Sequence, residues 1–502
     1  MSMLRTKPIE QAIKDTEEPE HRLKKNLGAL DLVIFGVGVM IGAGIFILTG
    51  SVAADNAGPA VALSFLFAGI ACALAALCYA EFASTVPVAG SAYTFSYVSF
   101  GEIVAWFIGW DLALEFTIGA AALAVGFSGY LNILLEGTAF ELPLALQSVS
   151  TTDNPDGVFN LGGAVIALVV MAILIAGIKF SSLFNQVVVA IKLTVVAIVI
   201  VGGIGYITAD NYSPFIPDSA APAAEESGWL ATPLIQTLLG IEPAVYGIGG
   251  VFAGAAVVFF AFIGFDVVAT TAEEARNPQR DVPIGILGSL AIVTVLYMAV
   301  SLVVTGMQPY QEISAAAPLS GAFEANGATW ASDVIAVGAC IGLIVVVMIL
   351  MLGQTRVAFA MARDGLLPPA LAKVHPTFGT PYVITAITGV AVAVIAGLVD
   401  LTTLADLVNI GTLSAFMLVS IGVVVLRRTR PELPRAFRVP AAPVVATLAT
   451  LMCLYLMLNL PAETWLRFLV WMALGVVVYF AYSRSHSRLG RTQALDRSQP
   501  TE

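Results

Sequence analysis

Charge is what this 502-residue chain has least of: Asp, Glu, Lys and Arg together make up 11% of it. A soluble domain carries about 25%. With 58% hydrophobic residues and a mean hydropathy of +0.91, so little charge excludes a water-soluble globular chain. Histidine is almost missing, at three residues, which leaves little for a zinc site or a histidine proton relay. The four cysteines, Cys72, Cys78, Cys340 and Cys453, all fall inside apolar runs without a CxxC or Cys/His spacing. They read as small core residues, so neither a disulfide framework nor a metal site is expected. No external cysteine is left for an obligate disulfide-linked subunit. Nothing resembles a phosphate-binding loop, which argues against an ATP-driven machine or a membrane enzyme. No cofactor is expected, and a net charge of −11 suits no nucleic-acid partner. The opening stretch MSMLRTKPIEQAIKDTEEPEHRLKKN is polar and charged, and does not read as a cleaved signal peptide.

Long apolar runs are abundant. A spanning helix needs about 20 mostly apolar residues. Runs of that kind lie near 30–49, 59–85, 102–135, 161–177, 185–207, 248–271, 284–306, 333–362, 381–399, 402–427, 441–460 and 464–482. They predict an all-α integral membrane protein with about 12 transmembrane helices in the lipid bilayer. The basic residues agree with that count. All of the 23 lysines and arginines except Lys192 and Arg467 fall at the N-terminus, in the even-numbered connections or in the C-terminal tail. The long acidic loops around 136–158 and 209–247 fall on the other side. By the positive-inside rule both termini are cytoplasmic, in the cell membrane.

Two of the runs are interrupted. The first contains GVMIGAGIFILTG (38–50), with Gly38, Gly42 and Gly44 near its middle. Glycine costs roughly 1 kcal/mol relative to alanine in a helix interior. The sixth, VFAGAAVVFFAFIGFDVVATTAEE (251–274), has Gly264 near its middle and Asp266 directly after. Both open a five-helix block, and interrupted spans at corresponding positions of two halves point to a transporter's binding site. Irregular backbone is tolerated at membrane depth only where it is buried in protein or lines a cavity. A break frees N–H groups, which suit a carboxylate, and C=O groups, which suit an ammonium. Gly38 and Gly42 taken alone fit equally well with close helix packing.

Four stretches carry a family resemblance: RLKKNLGALDLVIFGVGVMIGAGIFILTG (22–50), YAEFASTVPVAGSAYTFSYVSFGE (79–102), FFAFIGFDVVATTAEEARNPQRDVPIGI (259–286) and QTRVAFAMARDGLLPPALAKVHPTFGTP (354–381). Over residues 22–485 the chain resembles the amino acid–polyamine–organocation (APC) superfamily, and within it the bacterial relatives of the cationic amino acid transporters. The resemblance implies a 5+5 inverted repeat with discontinuous helices 1 and 6, plus two extra helices, working by alternating access. It divides the chain into an N-terminal segment (1–28), a first repeat (29–208), an external loop (209–247), a second repeat (248–428), helices 11 and 12 (429–484) and a tail (485–502). It places a carboxylate-binding turn on Gly42, Ala43 and Gly44. Many relatives carry Ser or Thr at Ala43, so backbone must serve alone here. The ammonium-facing carbonyls become Met40, Phe260 and Ile263, with Ala261 and Gly264 completing the second break. Phe260 becomes the aromatic that closes over substrate.

Ionisable residues inside spans are the remaining candidates. A charge near a helix centre costs about 2.5–3.5 kcal/mol on insertion scales, so its default reading is functional. Lys192, in NQVVVAIKLTVVAIVIV, lies about seven residues into the fifth helix with no acidic residue nearby in sequence. In sodium-driven transporters of this fold a metal ion braces the first helix against the eighth. The resemblance implies that a fifth-helix lysine takes that role in proton-coupled relatives, and Lys192 matches its position. The alternative is a structural lysine bridging carbonyls. Glu115, in mid-third helix, could contact the pocket or Lys192, or make a structural hydrogen bond. Asp266 could tether the unwound segment or relay a proton. Glu81, at the end of the second helix, reads as a structural or gating contact.

The apolar and aromatic AFIGF argues for a small or medium neutral side chain. The expected function is therefore proton-coupled uptake of neutral L-amino acids such as alanine. A cationic substrate, which would rely on Glu115, and an exchanger of the same fold are the alternatives. A non-transporting sensor is a remote one.

Overall fold

The computed structural model describes residues 27–491, except 43, 87–90, 151–153, 178–181, 221–227, 241–244, 273 and 274. The N-terminal basic cluster, Lys179 and the end of the tail lie outside the described residues. Among those described, the chain is helical with four isolated β-bridges and no sheet. The principal helices are α1 (Ala29–Met40), α2 (Val61–Thr85), α3 (Ser91–Ser99), α4 (Glu102–Leu135), α5 (Leu161–Ile175), α6 (Ser182–Ala197), α7 (Gly247–Val258) and α8 (Phe265–Thr270). They continue with α9 (Pro278–Met307), α10 (Pro318–Ala325), α11 (Thr329–Arg363), α12 (Tyr382–Leu398), α13 (Leu401–Thr429), α14 (Ala442–Leu458) and α15 (Ala462–Val478).

Each predicted apolar run coincides with a helical segment. Among the described residues, eight helical stretches are long and apolar enough to cross a membrane, and α1, α5, α12 and α14 are shorter apolar helices of 12 to 17 residues. Span 1 is divided between α1 and the turns at Gly44–Val52; span 6 is α7, a 3₁₀ turn at Phe259–Phe262, and α8. Local sequence sets several boundaries. Asp31 accepts from the Gly28 N–H (2.9 Å) at the start of α1. Asn160 caps α5 through Gly163 N–H, and Asp400 caps α13 through Thr403 N–H. Such caps satisfy first-turn N–H groups that have no partner within the helix.

Packing separates two groups of helices. In one, α9 packs against α1 and α2, and α7 against α2; in the other, α4 packs against α11 and α5, and α5 against α12. α6 leans on both α1 and α11, and α13 on α4 and α2. The outermost helix displays its apolar residues outward: Leu466, Leu469, Val470, Leu474 and Val477 of α15 are all more than half exposed. Their helical spacing makes a continuous stripe, which suits contact with acyl chains rather than with protein.

At the end of the bundle where arginines gather, α15 is fastened to α4. Trp106 Nε1–H donates to the Gly475 carbonyl (2.9 Å) and Trp110 Nε1–H to that of Trp471 (3.0 Å). Trp110 also stacks on Trp471, with ring centroids 4.6 Å apart. Glu102, fully buried, accepts from the hydroxyls of Tyr97 and Tyr479 (3.2 Å each) and of Ser487. Beyond α15, Ser483 Oγ–H donates to the Leu366 carbonyl (2.6 Å) and Arg488 N–H to that of Asp364 (3.0 Å). The tail thus lies across the ends of α4 and α11.

The same end holds a buried ionic cluster. Glu81, 2% exposed, accepts from Arg427 through Nε (2.7 Å) and Nη2, and from the Val439 N–H (2.8 Å). Arg435 Nε stands 3.6 Å from the same carboxylate. This ties α2 to α13 and to the segment after it, the structural contact expected of Glu81. An amide in place of the carboxylate keeps only one of the two oxygens that Arg427 grips and leaves two guanidinium charges without their counter-ion, at roughly 1–3 kcal/mol for a lost buried partner. Glu81→Gln should therefore lower the thermal unfolding midpoint of the purified protein, measured by intrinsic fluorescence. An unchanged midpoint would mean the cluster adds nothing to stability.

Candidate functional site

Both predicted breaks are present. α1 ends at Met40, and Ile41 is extended (φ −69°, ψ 92°). After Gly42 the chain resumes helical geometry at Gly44–Leu48. Ala43 lies outside the described residues. In span 6 the 3₁₀ turn ends at Phe262, Ile263 is extended (φ −60°, ψ 132°), and Gly264 takes φ 119° before α8 begins. That φ belongs to glycine. The breaks touch: a Cβ on Gly44 would collide with the Cβ and Cα of Ala261. Met40, Ile41, Phe260, Ala261 and Ile263 are all at most 9% exposed. Gly38, by contrast, packs on Val189 of α6, so for this glycine close packing is the arrangement found.

The freed backbone groups of the two breaks are treated differently. In span 6 the Gly264 N–H donates to Asp266 Oδ1 (3.3 Å), so Asp266 tethers the unwound segment with the chain's own carboxylate. In span 1 no side chain among the described residues accepts from the N–H of Gly42 or Gly44, although the positive end of the following half-helix begins there. The carbonyls at the end of α1 are taken up. Lys192 Nζ donates to the carbonyls of Gly38 (2.7 Å) and Ile41 (2.8 Å). The Tyr297 hydroxyl, from α9, lies within hydrogen-bond distance of the Met40 carbonyl and 2.8 Å from that of Ala261.

Lys192 is fully buried. Its stem runs beside Gly342 of α11, where a Cβ would stand 2.9 Å from Cε. The lysine therefore links the end of α1 to α11 from α6, and a larger residue at 342 would displace it. Glu115 is fully buried, close enough to Asp266 and Asp111 to interact with their charges. Both its carboxylate oxygens are buried without a hydrogen-bond donor among the described residues. The neighbouring Thr412 hydroxyl donates to the Val408 carbonyl (3.0 Å) instead. Asp111 accepts from Ser414 Oγ–H (3.1 Å).

Three side chains at the breaks escaped the sequence reading. Besides Tyr297, Asn409 of α13 donates through Nδ2 to the Ala256 and Val257 carbonyls (2.9 and 3.0 Å), holding the last turn of α7. Tyr130 of α4 donates to the Phe46 carbonyl. A tyrosine inside an apolar run gives no signal of its own; an intramembrane Asn is a weak one.

Two discontinuous spans thus meet inside the bundle, with a buried lysine on the end of one and an acid beside the other. The amino acid permease family model matches residues 27–481. The chain is 46% identical over 490 residues to the methylthioribose transporter of Bacillus subtilis (strain 168), covering 98% of this chain and all of that protein. It is 44% identical to the branched-chain amino acid permease BcaP of the same organism, over 98% of this chain and 99% of the permease. To the vacuolar cationic amino acid transporter 2 of Arabidopsis thaliana it is 42% identical, over 86% of this chain and 64% of the relative. The chain belongs to the amino acid permease family of the APC superfamily and is a multi-pass membrane transporter, not an enzyme.

Proposed function

We propose that this protein carries neutral L-amino acids into the cell with a proton, by alternating access around the two breaks. One observation carries the reading. At the second break the chain supplies its own carboxylate, Asp266, to the freed Gly264 N–H; at the first, no side chain among the described residues accepts from Gly42 or Gly44. An incoming α-carboxylate fits that open half-helix start, where backbone N–H groups and the helix dipole favour an anion. The buried surroundings of Phe260, Ala261 and Ile263 suit an aliphatic side chain. The 44% identity to a branched-chain permease extends the expected range from alanine to leucine, isoleucine and valine. Lys192 is the proposed proton carrier, and Glu115 and Asp266 the acids that join the cycle. The proposal includes the two repeats (29–208 and 248–428), cytoplasmic termini and a cell-membrane location.

A second reading rests on the 46% identity to a methylthioribose transporter. A thioether sugar has no carboxylate for the N–H groups of the first break and no cation for the carbonyls at the end of α1. The test is uptake into proteoliposomes of labelled L-leucine and L-alanine, with and without an inward proton gradient. Excess arginine or methylthioribose serves as competitor. Gradient-driven accumulation, blocked by unlabelled neutral amino acids and not by either competitor, is expected. Uptake blocked by methylthioribose would favour the second reading, and uptake indifferent to the gradient would remove the proton.

A further inference from the structure

The Tyr297 hydroxyl has one hydrogen and two acceptors. It reaches the Met40 carbonyl at the end of α1 and, at 2.8 Å, the Ala261 carbonyl in the turn before the second break. These carbonyls belong to the two broken spans, whereas the tyrosine stands on a third helix, α9. The ring cannot swing away. It is fully buried, edge-on to Phe262 (centroids 5.3 Å apart) and tilted against Phe65 (5.4 Å). Buried backbone carbonyls are nearly always partnered, and each has two lone pairs. A ring-fixed hydroxyl within reach of both carbonyls holds them facing one point, and each keeps a lone pair for a further donor.

The other carbonyls at the end of α1 are differently placed. Gly38 and Ile41 are held by Lys192 from the α6 side. Met40 alone is held from α9, the helix that also reaches the second break. The two spans therefore share a single donor, and it is neutral, so it can give up an acceptor without leaving a buried charge behind.

We propose that Tyr297 is a positioning residue for the substrate's α-ammonium group: its hydroxyl orients the Met40 and Ala261 carbonyls towards one point. When an ammonium takes the free lone pair at Met40, the single phenolic hydrogen settles on Ala261; without cargo the two carbonyls share that one hydrogen. This deepens the proposed amino-acid reading and rests on it. The Tyr297 hydroxyl bonds carbonyls only, so removing it takes no N–H from the start of the following half-helix, where the carboxylate end of the substrate would sit.

Tyr297→Phe keeps the ring and removes only the hydroxyl. In proteoliposomes the KM for L-leucine should rise about tenfold, the loss of one well-placed hydrogen bond, with Vmax changed by less than about twofold. Inhibition of leucine uptake by 4-methylpentanoate, which keeps the carboxylate and has no donor in place of the ammonium, should show an inhibition constant equal to that of the wild type. An unchanged KM would overturn the proposal. So would a fall in Vmax and in thermal midpoint at constant KM, because that pattern describes a tyrosine that only holds the fold. Equal weakening for 4-methylpentanoate would overturn it as well. If wild-type protein takes up no amino acid at all, the functional reading fails first, and that outcome is read from the wild-type arm alone.

Discussion

Replacing Lys192 by methionine should leave a folded, carrier-competent protein that no longer accumulates substrate against its gradient. Two opposing effects decide the stability part of this expectation. The variant leaves the Gly38 and Ile41 carbonyls without their donor, at about 1–3 kcal/mol for each buried group left unsatisfied. It also relieves the burial of an ionisable group that is fully enclosed, whose effective desolvation penalty is several kcal/mol. Methionine preserves the stem that packs beside Gly342. The terms are similar in size, so the thermal midpoint should move little. Transport should change far more. With an inward proton gradient, wild-type vesicles should concentrate L-leucine several-fold, whereas the variant should only equilibrate it. Counterflow, which needs no proton, should persist. Retained accumulation in Lys192→Met would leave the lysine a structural bridge between carbonyls, as one reading of the sequence has it.

The second large effect belongs to Gly44. A Cβ there would run into the backbone of Ala261, and backbone cannot rotate aside as a side chain can. Overpacking of a close contact typically costs 1–3 kcal/mol and occasionally more, and here it also pushes the two breaks apart. Gly44→Ala should abolish uptake and lower the thermal midpoint. Gly42→Ala is the informative control. Its Cβ would meet Leu123 Cδ2 at 3.4 Å and Val346 Cγ2 at 3.6 Å, which is ordinary contact. That variant should fold with a wild-type midpoint and show its effect in the KM. Equal behaviour of the two variants in both measurements would show that contact between the breaks has no special role.

The course of the chain was legible because the bilayer imposes a length on every apolar run. The breaks were legible because glycines interrupt two spans at corresponding positions, and Lys192 because a lone charge among valines and isoleucines stands out. What the sequence withheld is facing. Nothing in WFIGWDLALEFTIGAA says whether Glu115 looks towards Lys192 or towards Asp266, since a turn of about 100° per residue separates those choices. The structure puts it beside Asp266 and Asp111. Tyr297 was invisible for a related reason: in an almost wholly apolar helix, amphipathic pattern cannot mark the inner side. Glu81 was recognised as a contact, but its partners Arg427 and Arg435 lie some 350 positions away, and pairing over that distance leaves no local trace.

The attachment of α15 and the tail to α4 and α11 makes a ruler for the transport cycle. Indole hydrogen bonds, a tryptophan stack and the Glu102 hydroxyl cluster fix that outer span to α4. α9 belongs to the other group of helices. A fluorophore at position 491 should therefore keep a constant distance to one on the outward side of α4 while its distance to one at Ile292 of α9 alternates. The first pair would calibrate the instrument, and the second would time each swing of the carrier.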